Sequence, residues 1–182
     1  DENGNVKSGP IPGYTATALG NAANNYTITN THTPETVEIP VVKTWDDAEN
    51  QDGKRPSGIS LSLQKKTSAS QEWTEVTGKT LTLSAAGNWT GKFTALPKYE
   101  NGTQIQYKVV EESVTDYTLV TENTVWTAGS TVTRTNHHTP ETITVTAHKE
   151  WDDDNNRDNK RPDSIVFHIL ADEQDIGKTK TL

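Results

Sequence analysis

The chain has 182 residues, of which 30% are hydrophobic, and its 17 basic against 25 acidic side chains give a net charge of −8. Acidity without a basic stripe argues against nucleic acid as a partner. The absence of cysteine excludes disulfides, thiol catalysis and thiolate metal sites together. No apolar run approaches the roughly 18 residues of a membrane span, and no signal-peptide pattern opens the chain. Methionine is absent too, so residue 1 is not an initiator and the chain is expected to be a window on a longer protein. Thirty threonines and few helix formers outside short loops predict an all-β fold.

Internal repetition organises the rest. Asn30-Thr-His-Thr-Pro-Glu-Thr36 recurs as Asn136-His-His-Thr-Pro-Glu-Thr142, Lys43-Thr-Trp-Asp-Asp47 as Lys149-Glu-Trp-Asp-Asp153, and Lys54-Arg-Pro56 as Lys160-Arg-Pro162. Each pair is offset by 106 residues. One offset shared by three separated motifs predicts a tandem array with a period of about 106. Residues 1–36 then form the tail of a preceding unit, 37–142 a complete unit and 143–182 the head of a following one, both partial units being incomplete by truncation.

Elements follow in chain order. At residues 26–30, the end of the first copy, Tyr26, Ile28 and Asn30 share one parity. In the complete unit, Val37, Ile39, Val41, Lys43 and Trp45 share one face of a strand over 37–45, where Pro40 suggests an edge position. Further strands are expected at 59–64, 80–83, 89–94, 104–111 and 132–136. Turn signals at Asp52-Gly53, Ala86-Gly87-Asn88 and Asn101-Gly102 separate several of them. The third copy repeats the first strand more cleanly, with Ile143, Val145, Ala147, Lys149 and Trp151 on one face. Around seven short strands per unit point to tandem Ig-like β-sandwich repeats with Greek-key connections.

Three polar side chains lie at the ends of core-facing rows. Lys43 shares parity with Val41 and Trp45, Glu111 follows Ile105, Tyr107 and Val109, and Asn136 is the equivalent of Asn30 in the closing strand. Burying any one alone would be costly, so the pattern makes sense if the three meet. Desolvation favours a neutral amine and a neutral carboxylic acid. A neutral Lys43 could then attack the side-chain carbonyl of Asn136, with Glu111 shuttling protons and ammonia leaving. A buried Lys–Glu ion pair with Asn136 hydrogen-bonded nearby fits the same parity, and at this point both readings stand.

The ordered set Lys43-x-Trp45-Asp-Asp, Gly53-Lys-Arg-Pro56, Leu96-Pro-Lys-Tyr99, Tyr107-x-Val109-x-Glu111 and closing Thr135-Asn136 resembles the Cna B-type domain, a repeat of Gram-positive surface adhesins and pilins. The resemblance covers the whole chain. It implies an autocatalytic isopeptide bond with Lys43 as nucleophile, Glu111 as proton shuttle and Asn136 as acceptor. It further implies that Glu2 and Asn30 are the glutamate and acceptor of the preceding unit and Lys149 the lysine of the next, each lacking its partners here. One departure is Arg134, which stands where the first copy has Ile28. The implied protein is a structural stalk or shaft repeat on the cell wall of a Gram-positive bacterium, not an enzyme, since its reactive set is consumed once. Its partners are neighbouring repeats of the same chain, with a host ligand engaged through other regions. A ligand-binding module presenting Trp73, Trp126 or loop residues to host protein or glycan is the alternative.

Other motifs carry less. The acidic loop 46–53 and the alternate Asp154, Asn156 and Asp158 hint at calcium, but Ala48 breaks that spacing in the complete unit and no downstream bidentate Glu follows. His32, His137 and His138 sit in linkers without zinc-ligand spacing. Asn25, Asn88 and Asn101 match the glycosylation pattern, which a bacterial surface protein usually leaves bare. No cofactor or metal is therefore expected.

Overall fold

The structure, a computed structural model, describes residues 11–70, 72–120 and 125–182. Glu2 lies outside them. The chain divides into two compact units at Pro140 and Glu141. Among the described residues no helix is long and apolar enough to cross a membrane.

The first unit opens with an antiparallel hairpin of β1 (Thr15–Asn21) and β2 (Asn25–Thr31). Both strands are solvent-exposed along their whole length. The inward row expected of Tyr26, Ile28 and Asn30 is therefore not realised, because a lone two-stranded ribbon has no second layer to cover either face.

The rest of the unit is a sandwich of two four-stranded sheets. β3 (Thr36–Asp46), β6 (Thr90–Pro97), β9 (Thr118–Leu119) and β10 (Val132–His137) form the first, in the order β6-β3-β10-β9. β4 (Gly58–Thr67), β5 (Thr74–Ser84), β7 (Tyr99–Glu100) and β8 (Thr103–Glu111) form the second, in the order β5-β4-β8-β7. Alternating inward residues of both sheets make one core: Ile39, Val41, Phe93, Leu96 and Val132 from the first, Ile59, Leu61, Leu63, Leu83, Ile105, Tyr107 and Val109 from the second. Period two converts directly into burial along β3, β4 and β8, whereas in β6 the inward Phe93 and Leu96 are out of step across the left-handed Ala95 and a register shift opposite Val37 and Ile39.

The first and last long strands of the sandwich lie side by side. β10 pairs with β3 in parallel, with Val132 opposite Val41, Arg134 opposite Lys43 and Asn136 opposite Trp45. β3 is thus interior, and the edge position inferred from Pro40 is wrong. The proline is tolerated because the ladder with β10 begins only at Val41, one residue further on, so Pro40 faces no β10 partner that would need its missing N–H. On the outer face, Thr44 and Thr135 join their hydroxyls across the same pair at 2.7 Å.

Between β3 and β4 the acidic loop makes an internal lock. Ala48, Glu49 and Asn50 all have left-handed backbone (φ 50, 59 and 65), which strains L-residues. Asp47 holds them there. Its buried carboxylate accepts from the Asn50 N–H at 3.0 Å, from Arg55 Nε at 2.7 Å and Nη2 at 2.5 Å, and from the Tyr117 hydroxyl at 2.8 Å. Those four contacts occupy the carboxylate that a cation would need.

In the second unit only β11 (Val166–Ala171) and β12 (Gln174–Thr181) form strands, as an antiparallel hairpin. The loop lock is repeated, with Arg161 Nε 2.7 Å from Asp153 and left-handed backbone at Asp154, Asn155 and Asn156. The strand expected over 143–151 is not formed, and Ile143 is 89% exposed. Its counterpart β3 is held between β6 and β10, and no described strand of the second unit takes either place. Alternation without a partner ladder does not make a strand.

The Arg55 guanidinium, then burial and the Tyr117 and Asn50 donors, bias Asp47, and the net result holds its carboxyl far below the usual carboxylate range. A carboxylate depressed on folding contributes stability above its unfolded value near 3.8, lost as pH falls below it. Asp47→Asn should therefore lower the denaturation midpoint at pH 7 and flatten its fall between about pH 4 and 2. An unaltered acid limb would show that Asp47 does not carry this lock.

Candidate functional site

The parity argument puts Lys43, Glu111 and Asn136 each at the end of a core-facing row, and the structure brings them together. β3 carries Lys43 and β10 carries Asn136 on the inner face of the first sheet, while Glu111 ends β8 in the opposing sheet. Lys43 Nζ lies 3.1 Å from Glu111 Oε1. Asn136 Nδ2 donates to the same oxygen at 2.7 Å. The Lys43 side chain is 0% exposed and that of Glu111 2%; Asn136 is 2% exposed. An amine and a carboxamide therefore meet at one buried carboxylate oxygen.

The walls of the site are aromatic. Lys43 Nζ sits 4.6 Å from the centre of the Trp45 ring. That ring stands edge-on to Trp89 at 5.0 Å and to Tyr117 at 4.8 Å. The π-faces interact favourably with a cation, yet they displace the water that would otherwise solvate the ammonium. Burial is accordingly the largest influence on Lys43. Opposed by the Glu111 carboxylate and reinforced by the Arg134 charge, it pulls the amine down to about 8. The neutral, nucleophilic form of the amine is thus far commoner near neutrality than for an exposed lysine.

Two members of the cluster escaped the sequence reading. Arg134 is 2% exposed, and its Nε lies 3.6 Å from Glu111 Oε2. Its parity with Val132 and Asn136 already marked it as inward, but a charged side chain in the place of Ile28 obscured that signal. Tyr117, between strands, carries no periodic signal at all. Beside the cluster is a cleft of about 250 Å³ whose lining includes Glu111, Val114, Tyr117, Leu119 and Asn136.

The residues assigned to neighbouring units are arranged differently. Asn30 is exposed on β2, opposite Ala16. Lys149 is exposed, with Nζ on the Glu150 carbonyl at 2.7 Å and 4.5 Å from the Trp151 ring centre. Glu2 is outside the described residues. His137 and His138 contact Asp46 at 2.8 Å and Asp52 at 3.0 Å, so they tie the end of β10 to the acidic loop. No group of three or more His, Asp or Glu side chains converges as a metal site among the described residues. Trp73 lies between Lys66 and Lys108, and Trp126 packs on the core with its Nε1–H donated to the Ser130 carbonyl at 3.0 Å.

The family model of the Cna protein B-type domain matches this chain twice, over residues 39–137 and 145–182. The chain belongs to the Cna B-type domain family. It is 40% identical over 172 residues to a collagen adhesin of Staphylococcus aureus, covering 94% of this chain but only 13% of that relative. Its fold is similar to the crystal structure of two B repeat units of the collagen binding protein of Staphylococcus aureus, with a TM-score of 0.59 and 38% identity over 96% of this chain and 42% of that one. A single B repeat unit of the collagen binding surface protein of Staphylococcus aureus is 39% identical, covering 81% of this chain and 71% of that one at a TM-score of 0.47. The Cna B-type sandwich expected from the motifs is the observed fold.

In an Asn136→Ala variant, side-chain NMR should show the Lys43 amine titrating near 8. Exposed lysines should titrate near about 10.4. A Lys43 midpoint among the exposed lysines would mean that water reaches the amine.

Proposed function

We propose that this Cna B-type chain is a stalk repeat of a cell-surface adhesin in a Gram-positive bacterium. In this reading residues 37–142 form a complete repeat whose first and last strands are welded by an isopeptide bond between Lys43 and Asn136. The observation that carries the proposal is the meeting of Lys43 and Asn136 on one buried oxygen of Glu111. In the reaction Lys43 Nζ attacks Asn136 Cγ, the new Nζ–Cγ bond forms and the Cγ–Nδ2 bond breaks. Glu111 carries a proton from the attacking amine to the departing Nδ2, which leaves as ammonia. Atoms and charge balance, and nothing else is consumed. The set turns over once, so the repeat does not act on external substrates.

The pairing of the strands suggests what the bond is for. In an array, load enters a repeat ahead of β3 and leaves beyond β10. These strands run parallel and adjacent, so tension shears their ladder along its length. A covalent bond between them takes that load before the core hydrogen bonds do. It also closes a loop of about 93 residues, which in the chain-entropy treatment used for disulfides removes about 4–5 kcal/mol of unfolded-state freedom. The stalk reading leaves ligand capture to other parts of the longer protein. Trp73 and Trp126, the aromatics offered for a binding module, are engaged within the fold.

Intact-mass measurement of the folded 182-residue chain tests the bond. The expected mass is lower than calculated by one ammonia, about 17 Da. Glu111→Ala should restore the full mass and lower the melting temperature. A full-mass parent protein would reject the cross-link, and a cross-linked Glu111→Ala variant would reject the role of Glu111.

A further inference from the structure

The far end of β10 carries a second polar cluster, which the cross-link does not use. His138 follows His137, the last residue of β10, and its N–H donates to the Asp46 carbonyl at 2.9 Å. Its side chain is 13% exposed, and both ring nitrogens are engaged. Nδ1 lies 2.8 Å from the Asp116 carbonyl and Nε2 lies 3.0 Å from Asp52 Oδ2. The ring also packs on Tyr117, with centroids 5.3 Å apart. Asp52 belongs to the loop between β3 and β4, and Asp116 to the turn before β9. One imidazole therefore joins three segments just ahead of Pro140, where the first unit ends.

The two contacts fix the charge of the ring. A carbonyl oxygen only accepts, so Nδ1 carries a proton. Nε2 then faces a carboxylate oxygen, and a neutral ring would set its lone pair against that anion. Only the imidazolium satisfies both nitrogens together. Of the other charged groups nearby, Asp116 adds a second carboxylate, 3.9 Å from Lys54 Nζ, and Asp46 is taken by His137 Nδ1 at 2.8 Å. The Asp52 contact first, then the Asp116 carbonyl, raise the His138 midpoint above the ordinary 6.5, against the opposing effect of burial. His137 differs, because its Nε2 meets the Thr139 hydroxyl at 3.0 Å. A hydroxyl donates as well as accepts, so a neutral ring serves there. The carbonyl-and-tyrosine seat recurs 106 residues earlier. His32 Nδ1 lies 2.7 Å from the Gly13 carbonyl, and the ring lies 5.3 Å from Tyr14.

We propose that His138 is a proton-operated clasp at the exit of the repeat. As imidazolium it pins the chain ahead of the linker to the acidic loop and to the turn before β9, and on losing its proton to solvent it lets that chain go. A histidine whose protonated form is favoured by folding contributes stability in full below 6.5, and that contribution is lost as pH rises through the folded midpoint. The chain leaving the repeat is thus held in mildly acidic surroundings and freed toward alkaline pH. The clasp works whether or not Lys43 and Asn136 are joined.

The test is carbon-13 NMR of the full 182-residue chain between about pH 5 and 9, which spans the histidine range. The His138 ring should titrate above 6.5. Cα order parameters at His138 and Thr139 should lie near about 0.85 below that midpoint and fall toward about 0.6 above it. Asp52→Asn should lower the midpoint and abolish the fall. His138→Ala should leave Thr139 at the lower value at every pH, whereas His137→Ala should keep the step. A His138 midpoint at or below 6.5 overturns the proposal. So does a raised midpoint across which Thr139 keeps its order, since the contact is then an ion pair that restrains nothing, and so does a step that survives in His138→Ala.

Discussion

A carboxylate shut away from water between two β-sheets must be compensated on every side, and the architecture of this repeat is organised around that requirement. Glu111 reaches the interior from the end of β8, and the opposing sheet answers with an amine, an amide and a guanidinium from β3 and β10. Buried ion pairs often fail to repay their desolvation, at several kcal/mol per ion. Such a cluster is therefore a poor choice if stability alone is the purpose. Converting Lys43 and Asn136 to a secondary amide would remove one of the buried charges and leave Glu111 matched to Arg134. In this account the unfavourable burial is the driving condition of the chemistry, since the same desolvation that strains the cluster produces a nucleophilic amine.

The surrounding structure makes sense as support for that cluster. The Trp45 ring lies against the lysine, and Trp89 and Tyr117 pack edge-to-face on Trp45 in turn. Tyr117 also donates to Asp47, which ties the wall of the site to the left-handed turn after β3. His138 joins in from the end of β10: its ring contacts Asp52 at 3.0 Å and the Asp116 carbonyl at 2.8 Å, and chiefly the Asp52 contact raises its pKa above the ordinary histidine value. The segments that bracket β3 and β10 are thus fastened to one another. A near-attack arrangement needs such fastening, because small displacements of the reacting groups cost large factors in rate.

Much of this was legible in the sequence, for a physical reason. Period-two alternation in β3 and β8 assigned Ile39, Val41, Tyr107 and Val109 to the core, and parity carried Lys43 and Glu111 inward with them, as the repeat did Asn136 through its equivalence to Asn30. Parity failed where its premise failed. Tyr26 and Ile28 alternate in β2, and Ile143 and Val145 alternate beyond it, yet both segments stay exposed, because alternation reports a preference for a half-buried strand and cannot supply the covering layer. Pro40 was misplaced because the rule against interior prolines concerns the N–H, and only the register shows that β10 begins one residue later. Arg134 was visible to parity and hidden by its chemistry. Asp47 and Tyr117 lie in turns, where side-chain partners are set by tertiary contact and leave no periodic trace.

The central claim is that the two nitrogen-bearing side chains of β3 and β10 end as one amide. Proteolysis of the folded chain followed by fragmentation mass spectrometry addresses it directly. The account predicts a single branched peptide containing both the Lys43 and Asn136 segments, joined through Nζ and Cγ and lighter than the two linear peptides by one ammonia. Recovery of the two segments as separate linear peptides, with an unmodified lysine and an intact carboxamide, would contradict it.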